Sequence, residues 1–247
     1  MALKAIKLTI HQETANYRVP NSHLFRESYP LPPYSTVIGM IHYLCDFKSY
    51  HEMKLSIGGD YASTVNDMYT RYEFKNGYKF DSKRHQLNVE GFGVSRGIGY
   101  TQLLVDVNLV IHIVPDNQNE VDEIYQALKY PKEYPNLGRR EDLVNITSIK
   151  IVDLKKKQLD EDFQVKKAYY LNFRNDDDTS LIKFNDVIKN GRGTYYDINK
   201  TYELTPLKRK QYYRKWKKVH VLYISDFELA EDSEFLFDDE REPVFLA

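Results

Sequence analysis

Lys83, Arg84 and His85 stand side by side, Arg96 follows, and Gly91, Gly93, Gly97 and Gly99 lie among them. Residues of these types suit contact with phosphate. The cations neutralise it, and glycine lets backbone N–H groups come close to it. Lysine, arginine and histidine also meet the needs of metal-free RNA cleavage. That reaction takes a base for the 2′-hydroxyl, an acid for the leaving oxygen and a cation for the phosphate. Spacing does not show that the residues converge, and an ordinary solvated loop has the same composition. A second group, Leu137-Gly138-Arg139-Arg140-Glu141-Asp142, sets two arginines beside two carboxylates. Neighbouring side chains point in different directions, so one arginine can pair with an acid while the other reaches a phosphate. A structural ion-pair network fits equally well. The run 208–218, basic with Tyr212, Tyr213 and Trp216 interleaved, is the strongest electrostatic feature. It reads also as a solvated helix face, or as the partner of the acidic stretch 228–242.

Other chemistries lack their residues. Gly91-Phe92-Gly93-Val94-Ser95-Arg96 has arginine where the dinucleotide fingerprint needs its third glycine, and it precedes a strand, not a helix. No glycine is followed by Lys-Ser or Lys-Thr at P-loop spacing. His51-Glu52 opens like a zinc-protease motif, but position 55 is leucine. Cys45 is the only cysteine, so no disulfide forms within the chain and no cysteine-built zinc site exists. No cofactor and no metal are expected. Lys+Arg is 35 and Asp+Glu 36, a formal net charge of -1, so any nucleic acid must be met by local patches and not by bulk charge. The hydrophobic content of 42% supports a packed core, and 247 residues allow one large domain or two small ones. The 21 tyrosines suit cores and interfaces first, and base stacking for a minority. Residues 1–10 lack a signal-peptide apolar region, and no segment is long enough to span a bilayer. The expected location is the cytoplasm, with no membrane partner, and the sequons at Asn145 and Asn199 then carry no meaning.

Clean alternation of apolar Ile6, Leu8 and Ile10 with polar Lys7, Thr9 and His11 predicts a strand with one buried face. The prolines up to Pro33 open a helix over 33–47, in which Gly39 costs about 1 kcal/mol against alanine. Close approach of another backbone or of a ligand would explain that glycine. An extended stretch over 55–72 leads to Asn76-Gly77, a tight-hairpin signal between Tyr72/Phe74 and Tyr78/Phe80. The segment 83–101 has no sustained period and reads as a mobile arm. Alternation over 103–114 gives a strand, Asn117 with Glu120 a capping box, and Val121, Ile124 and Leu128 a helical stripe. A strand over 146–152 follows. The fold class is therefore α+β, a ferredoxin-like (RRM-like) βαββαβ domain over 1–154 with an enlarged central hairpin. A smaller β-rich region fills 155–247. It begins with a linker-like 155–161, carries strands over 163–173 and 218–225, and has turns at Asp176-Asp177-Asp178 and 190–193.

Three stretches in this order resemble a known family. They are Tyr29-Pro30-Leu31-Pro32-Pro33-Tyr34-Ser35-Thr36-Val37-Ile38-Gly39-Met40, then Leu137-Gly138-Arg139-Arg140-Glu141-Asp142-Leu143, then Pro243-Val244-Phe245-Leu246-Ala247. Together they resemble the CRISPR-associated protein 5 family, a branch of the RAMP superfamily, and most of all its type I-B members. The resemblance spans essentially the whole chain. It implies a non-catalytic subunit of a type I Cascade complex in antiviral defence, one that binds the 5′ handle of the crRNA and caps the backbone filament. It implies Cascade backbone and large subunits as partners, with target DNA met indirectly through the complex. It also implies a projecting thumb, which falls at about 66–103. On this reading RNA is met by Arg26, Ser35, Thr36, Lys83, Arg84, His85, Arg96, Arg139 and Arg140, with free N–H groups at Ser35 and Thr36. Type I-C members cut precursor RNA with a tyrosine, a lysine and a histidine. Tyr43 matches the tyrosine, but no Lys-His pair follows the thumb, and 101–114 offers only His112, within a strand. The expectation is therefore no enzyme. The alternative is a metal-independent endoribonuclease that processes CRISPR repeat RNA.

Overall fold

The computed structural model describes residues 3–22, 24–75, 77–172, 187–207 and 211–247. Strand β1 (Leu3–Ala15) buries Ile6, Leu8 and Ile10, as its alternation predicts. A two-residue strand, β2 (Phe25–Arg26), precedes helix α1 (Tyr34–Leu44), which has Pro33 at its N-cap. Strands β3 (Met53–Glu73) and β5 (Phe92–Pro115) are 21 and 24 residues long, with the short β4 (Leu87–Val89) between them. Helix α2 (Val121–Lys129) leads into β6 (Asn145–Gln158). The remainder is strand-rich: β7 (Phe163–Val165), β8 (Ala168–Asn172), β9 (Ile188–Lys189), β10 (Arg192–Pro206), β11 (Tyr212–Ser225), β12 (Phe227–Leu229) and β13 (Glu234–Phe237).

Most of these strands form one sheet in the order β10-β11-β8-β3-β5-β1-β6-β13. Every neighbouring pair along it is antiparallel. Strand β2 adds to β5 in parallel at Tyr100 and Thr101. The apolar stripes of α1 (Val37, Ile41, Leu44) and α2 (Val121, Ile124, Leu128) meet the inner residues of β1, β3 and β5 in one core. The sheet runs on into the second half of the chain where Gly58 of β3 pairs with Tyr169 of β8. A side chain at position 58 would run into the Tyr169 ring, so glycine is what lets the two strands meet there. A second cluster around Tyr169, Ile224, Phe227 and Leu229 supports the small sheet β7-β12-β9.

Four expectations change. The segment 83–101 is largely a β-ribbon: β4 pairs with the start of β5, and the outer half of β5 pairs with β3 from Val65↔Leu103 to Glu73↔Ser95. The strand beside Tyr72 is thus the one carrying Ser95 and Arg96, not Tyr78 to Phe80. Tyr78 and Phe80 bond instead to Gly93 and Gly91. Asn76 of that turn signal lies outside the described residues, as do Asp176-Asp177-Asp178 and 208–210. The linker-like 155–161 is strand as far as Gln158, because β13 pairs with Lys155, Lys156 and Lys157. The described part of the basic run is strand β11, paired with β10, and not a helix face. Alternation fails there because both faces of the ribbon are exposed.

Candidate nucleic-acid interface

The arginine block is built around Asp142, which is fully buried. Its carboxylate accepts from the N–H of Asn16 (2.9 Å), the N–H of Arg139 (2.7 Å) and the Arg139 guanidinium (2.6 Å). Gly138 precedes it with φ +113°, and a side chain there would press on both this carboxylate and the Asn16 carbonyl. Asn16 in turn donates to the carbonyls of Arg26 (3.0 Å) and Gln102 (2.7 Å). Four separate stretches are thereby tied together: the end of β1, β2, the ribbon root on β5 and the 137–142 loop. Arg26 stands at this junction with its guanidinium 4.5 Å from the centre of the Tyr69 ring. Tyr69 faces Gly99 across the ribbon, and a Cβ at Gly99 would lie 2.6 Å from the ring. This glycine makes room for a ring, where phosphate contact was the expectation.

The other expected residues divide by whether their polar groups are already engaged. Arg139 is spent on Asp142 and on Glu141 (3.0 Å), whereas Arg140 is exposed with no hydrogen bond or ion pair among the described residues. Of the free N–H groups expected at the helix start, that of Thr36 donates to the Pro33 carbonyl at 2.9 Å, which leaves Ser35. Lys83, Arg84 and His85 form a turn on Asp81 in the outer part of the ribbon. The Arg84 guanidinium lies 3.7 Å from Asp81, and the Asp81 N–H donates to His85 Nδ1 at 3.1 Å. His85 also packs on Tyr78 and Phe80, so its ring holds the turn together. Arg96 lies opposite Tyr72 and is exposed. Arg26, Arg139 and Arg140 are thus gathered at the ribbon root, and Lys83, Arg84 and Arg96 are strung along the ribbon.

Tyr43 and His112, the other residues considered for cleavage, are each bonded to a carboxylate. The Tyr43 hydroxyl donates to Glu133 at 2.6 Å, and this bond raises its pKa above the ordinary tyrosine value. His112 is buried and bonded to Asp238 at 3.0 Å. Among the described residues no group of three or more His, Cys, Asp or Glu is placed to hold a metal ion.

Among the described residues no ion pair joins the acidic stretch 228–242 to the basic run. Its carboxylates are met by Lys7 (2.9 Å to Glu240), Lys150, Lys156 (2.8 Å to Glu234) and Lys167 (2.9 Å to Glu242). On β11, Lys217 pairs with Glu203 (2.6 Å) and Arg214 lies 4.6 Å from the Tyr202 ring centre. The sequence reading missed Lys200, Tyr202, His42 and Tyr50, which together with Arg214 and Trp216 line a groove between α1 and the β10–β11 ribbon. Gly39 opens onto this groove with nothing within 4 Å of where its Cβ would be, so no backbone approaches it.

No protein-family model matches the chain, and no curated protein sequence does. Among solved structures, a chain of a "CRISPR RNA-guided surveillance complex" matches with a TM-score of 0.55 at 15% identity, over 92% of this chain and 91% of that one. A "CRISPR protein from Archaeoglobus fulgidus" gives a TM-score of 0.42 at 11% identity, over 99% and 98%. A further "Cas protein" gives 0.42 at 12% identity, over 97% and 98%. The first establishes a fold shared along nearly the whole of both chains; the other two scores carry no argument.

Proposed function

We propose that this chain is a non-catalytic subunit of an RNA-guided CRISPR surveillance complex, where it holds the 5′ handle of the crRNA and caps one end of the backbone filament. The observation that carries this reading is the pairing of one strand order with one projection. The order β3-β5-β1-β6, all antiparallel, with α1 between β1 and β3 and α2 between β5 and β6, supports a ferredoxin-like βαββαβ reading of this part of the sheet. Its central hairpin runs on into a ribbon of 21- and 24-residue strands. That combination, in a fold shared with a chain of an RNA-guided surveillance complex, favours a handle-binding subunit with a thumb.

Electrostatics supports the same reading. The formal net charge is -1, yet Arg26, Arg140, Arg96 and Lys83 have no acidic partner among the described residues. They are cations free to take phosphates on the β3–β5 ribbon and at its root, with Arg139 as the residue that holds the block in place. Protein partners, namely backbone and large subunits, take the remaining surface, and target DNA is met through them. Tyr43, held in its neutral form by Glu133, is a poor base near neutral pH, which weighs against the nuclease alternative. The direct test is incubation of the purified chain with CRISPR repeat RNA in EDTA. RNA that is bound and left intact is the expected result. Specific cuts that disappear in Tyr43→Phe would replace this reading with the endoribonuclease.

A further inference from the structure

We infer that the groove between α1 and the β10–β11 ribbon is a pocket for one unpaired nucleotide of a single-stranded RNA, base and phosphate together. The inference rests on the reading that this chain holds RNA, and it adds a site away from the ribbon root.

The groove has a volume of about 650 Å³, within the range of ~300–1,000 Å³ typical of small-ligand sites. One wall is the stacked pair His42 and Tyr50, whose ring centres are 5.6 Å apart and nearly parallel. Both nitrogens of His42 are spent: Nδ1–H donates to the Ile38 carbonyl at 2.9 Å, and Nε2 accepts the His51 N–H at 3.0 Å. The ring is thereby fixed as a neutral tautomer, and burial lowers its pKa in agreement. The opposite wall is Tyr202 against Trp216, ring centres 5.3 Å apart, with Arg214 over the Tyr202 ring.

The charge on these walls is of one sign. Lys48, Lys200 and Arg214 line the groove and no carboxylate does, in a chain whose formal net charge is -1. Lys48 is paired with Asp46, but Lys200 and Arg214 have no ion pair among the described residues. Burial lowers the pKa of Lys200, and the charges of Glu52 and Asp116, which make no ion pair with it, only partly offset this. Flat rings beside cations that make no ion pair are what a base and its phosphate require. An apolar or acid-poor peptide would leave Lys200 and Arg214 unmatched. Gly39 fits the same account, since it keeps the α1 side of the groove open at a position where a side chain would meet no protein atom.

Trp216 is the only tryptophan, so emission excited beyond the absorption of the 21 tyrosines reports on this groove. The experiment titrates the protein at low salt with a labelled single-stranded RNA of handle length, reading label anisotropy and Trp216 emission in parallel. The expected result is a rise in anisotropy with saturable quenching of Trp216. Tyr202→Ala should weaken binding by about tenfold, the cost of removing one base stack. Gly39→Leu should abolish quenching while leaving the thermal transition in place, which separates a blocked groove from a damaged fold. If anisotropy rises but Trp216 is silent, or if Gly39→Leu quenches like the unchanged protein, the pocket is wrong and the handle reading stands. If anisotropy does not rise, both fall. Quenching by an acidic peptide but not by RNA would overturn the pocket in favour of a protein partner.

Discussion

Arg139 and Arg140 are neighbours with opposite duties. The Arg139 guanidinium completes a buried carboxylate, so Arg139→Ala leaves Asp142 desolvated and without its counter-charge. The expected loss is about 3 kcal/mol in chemical denaturation, the usual cost of breaking a buried pair from one side. Arg140 is exposed and unpaired, and Arg140→Ala should change stability by less than about 0.5 kcal/mol. On the proposed function its effect should show in RNA binding. There the slope of log K against log salt should become shallower by about 0.7 for each single-strand phosphate that is no longer neutralised. Denaturation and salt titration of the two variants check both halves. The sequence carried this division only as an open choice between phosphate contact and ion-pair network. Adjacent arginines beside two acids satisfy either, and what ties Arg139 to Asp142 includes Asn16, a residue far away in the chain whose N–H also binds that carboxylate.

At the scale of elements, β1, α1, α2 and the inner half of β5 were legible because their apolar residues recur with the period of a strand or a helix, although β1 and β5 are buried on both faces where they cross the core. The ribbon was not. Its outer strands are largely exposed, and its glycines answer to side chains elsewhere in the ribbon, as Gly99 does to Tyr69, so no local pattern marks them. Strand β6 beyond Val152 was likewise hidden, because Lys155, Lys156 and Lys157 read as linker until β13 is seen beside them. The turn after β13 is fixed to β1 and β5 through Asp238. Burial pushes the Asp238 pKa up, but hydrogen bonds from His112, Lys7 and the Glu242 N–H outweigh it and hold the carboxyl well below its ordinary value of 3.8. A depressed pKa gives stability that is present above the unfolded value and lost as pH falls below it. The melting temperature should therefore hold steady from pH 7 to 5 and drop below about pH 4. Asp238→Asn should start lower at pH 7 and show a shallower drop, and an equally steep one would deny Asp238 this part.

At the scale of the whole molecule, one sheet runs from β10 to β13 and carries two exposed features out of the core: the β3–β5 ribbon and the β10–β11 ribbon. Near-neutral charge is compatible with RNA binding here because the acidic stretch is paired with lysines other than those of the basic run, leaving cations uncovered at the β3–β5 ribbon and its root and on the β10–β11 ribbon. The measurement that bears most directly on the central claim is the guide-RNA content of the assembled complex. Arg26→Ala, Arg96→Ala and Arg140→Ala are combined in one chain, the complex is purified, and crRNA is quantified per backbone subunit. The account predicts that the triple variant folds and melts like the unchanged protein while crRNA retention falls severalfold, more steeply as salt is raised. Undiminished crRNA at every salt concentration, with the variant subunit still in the complex, would contradict it.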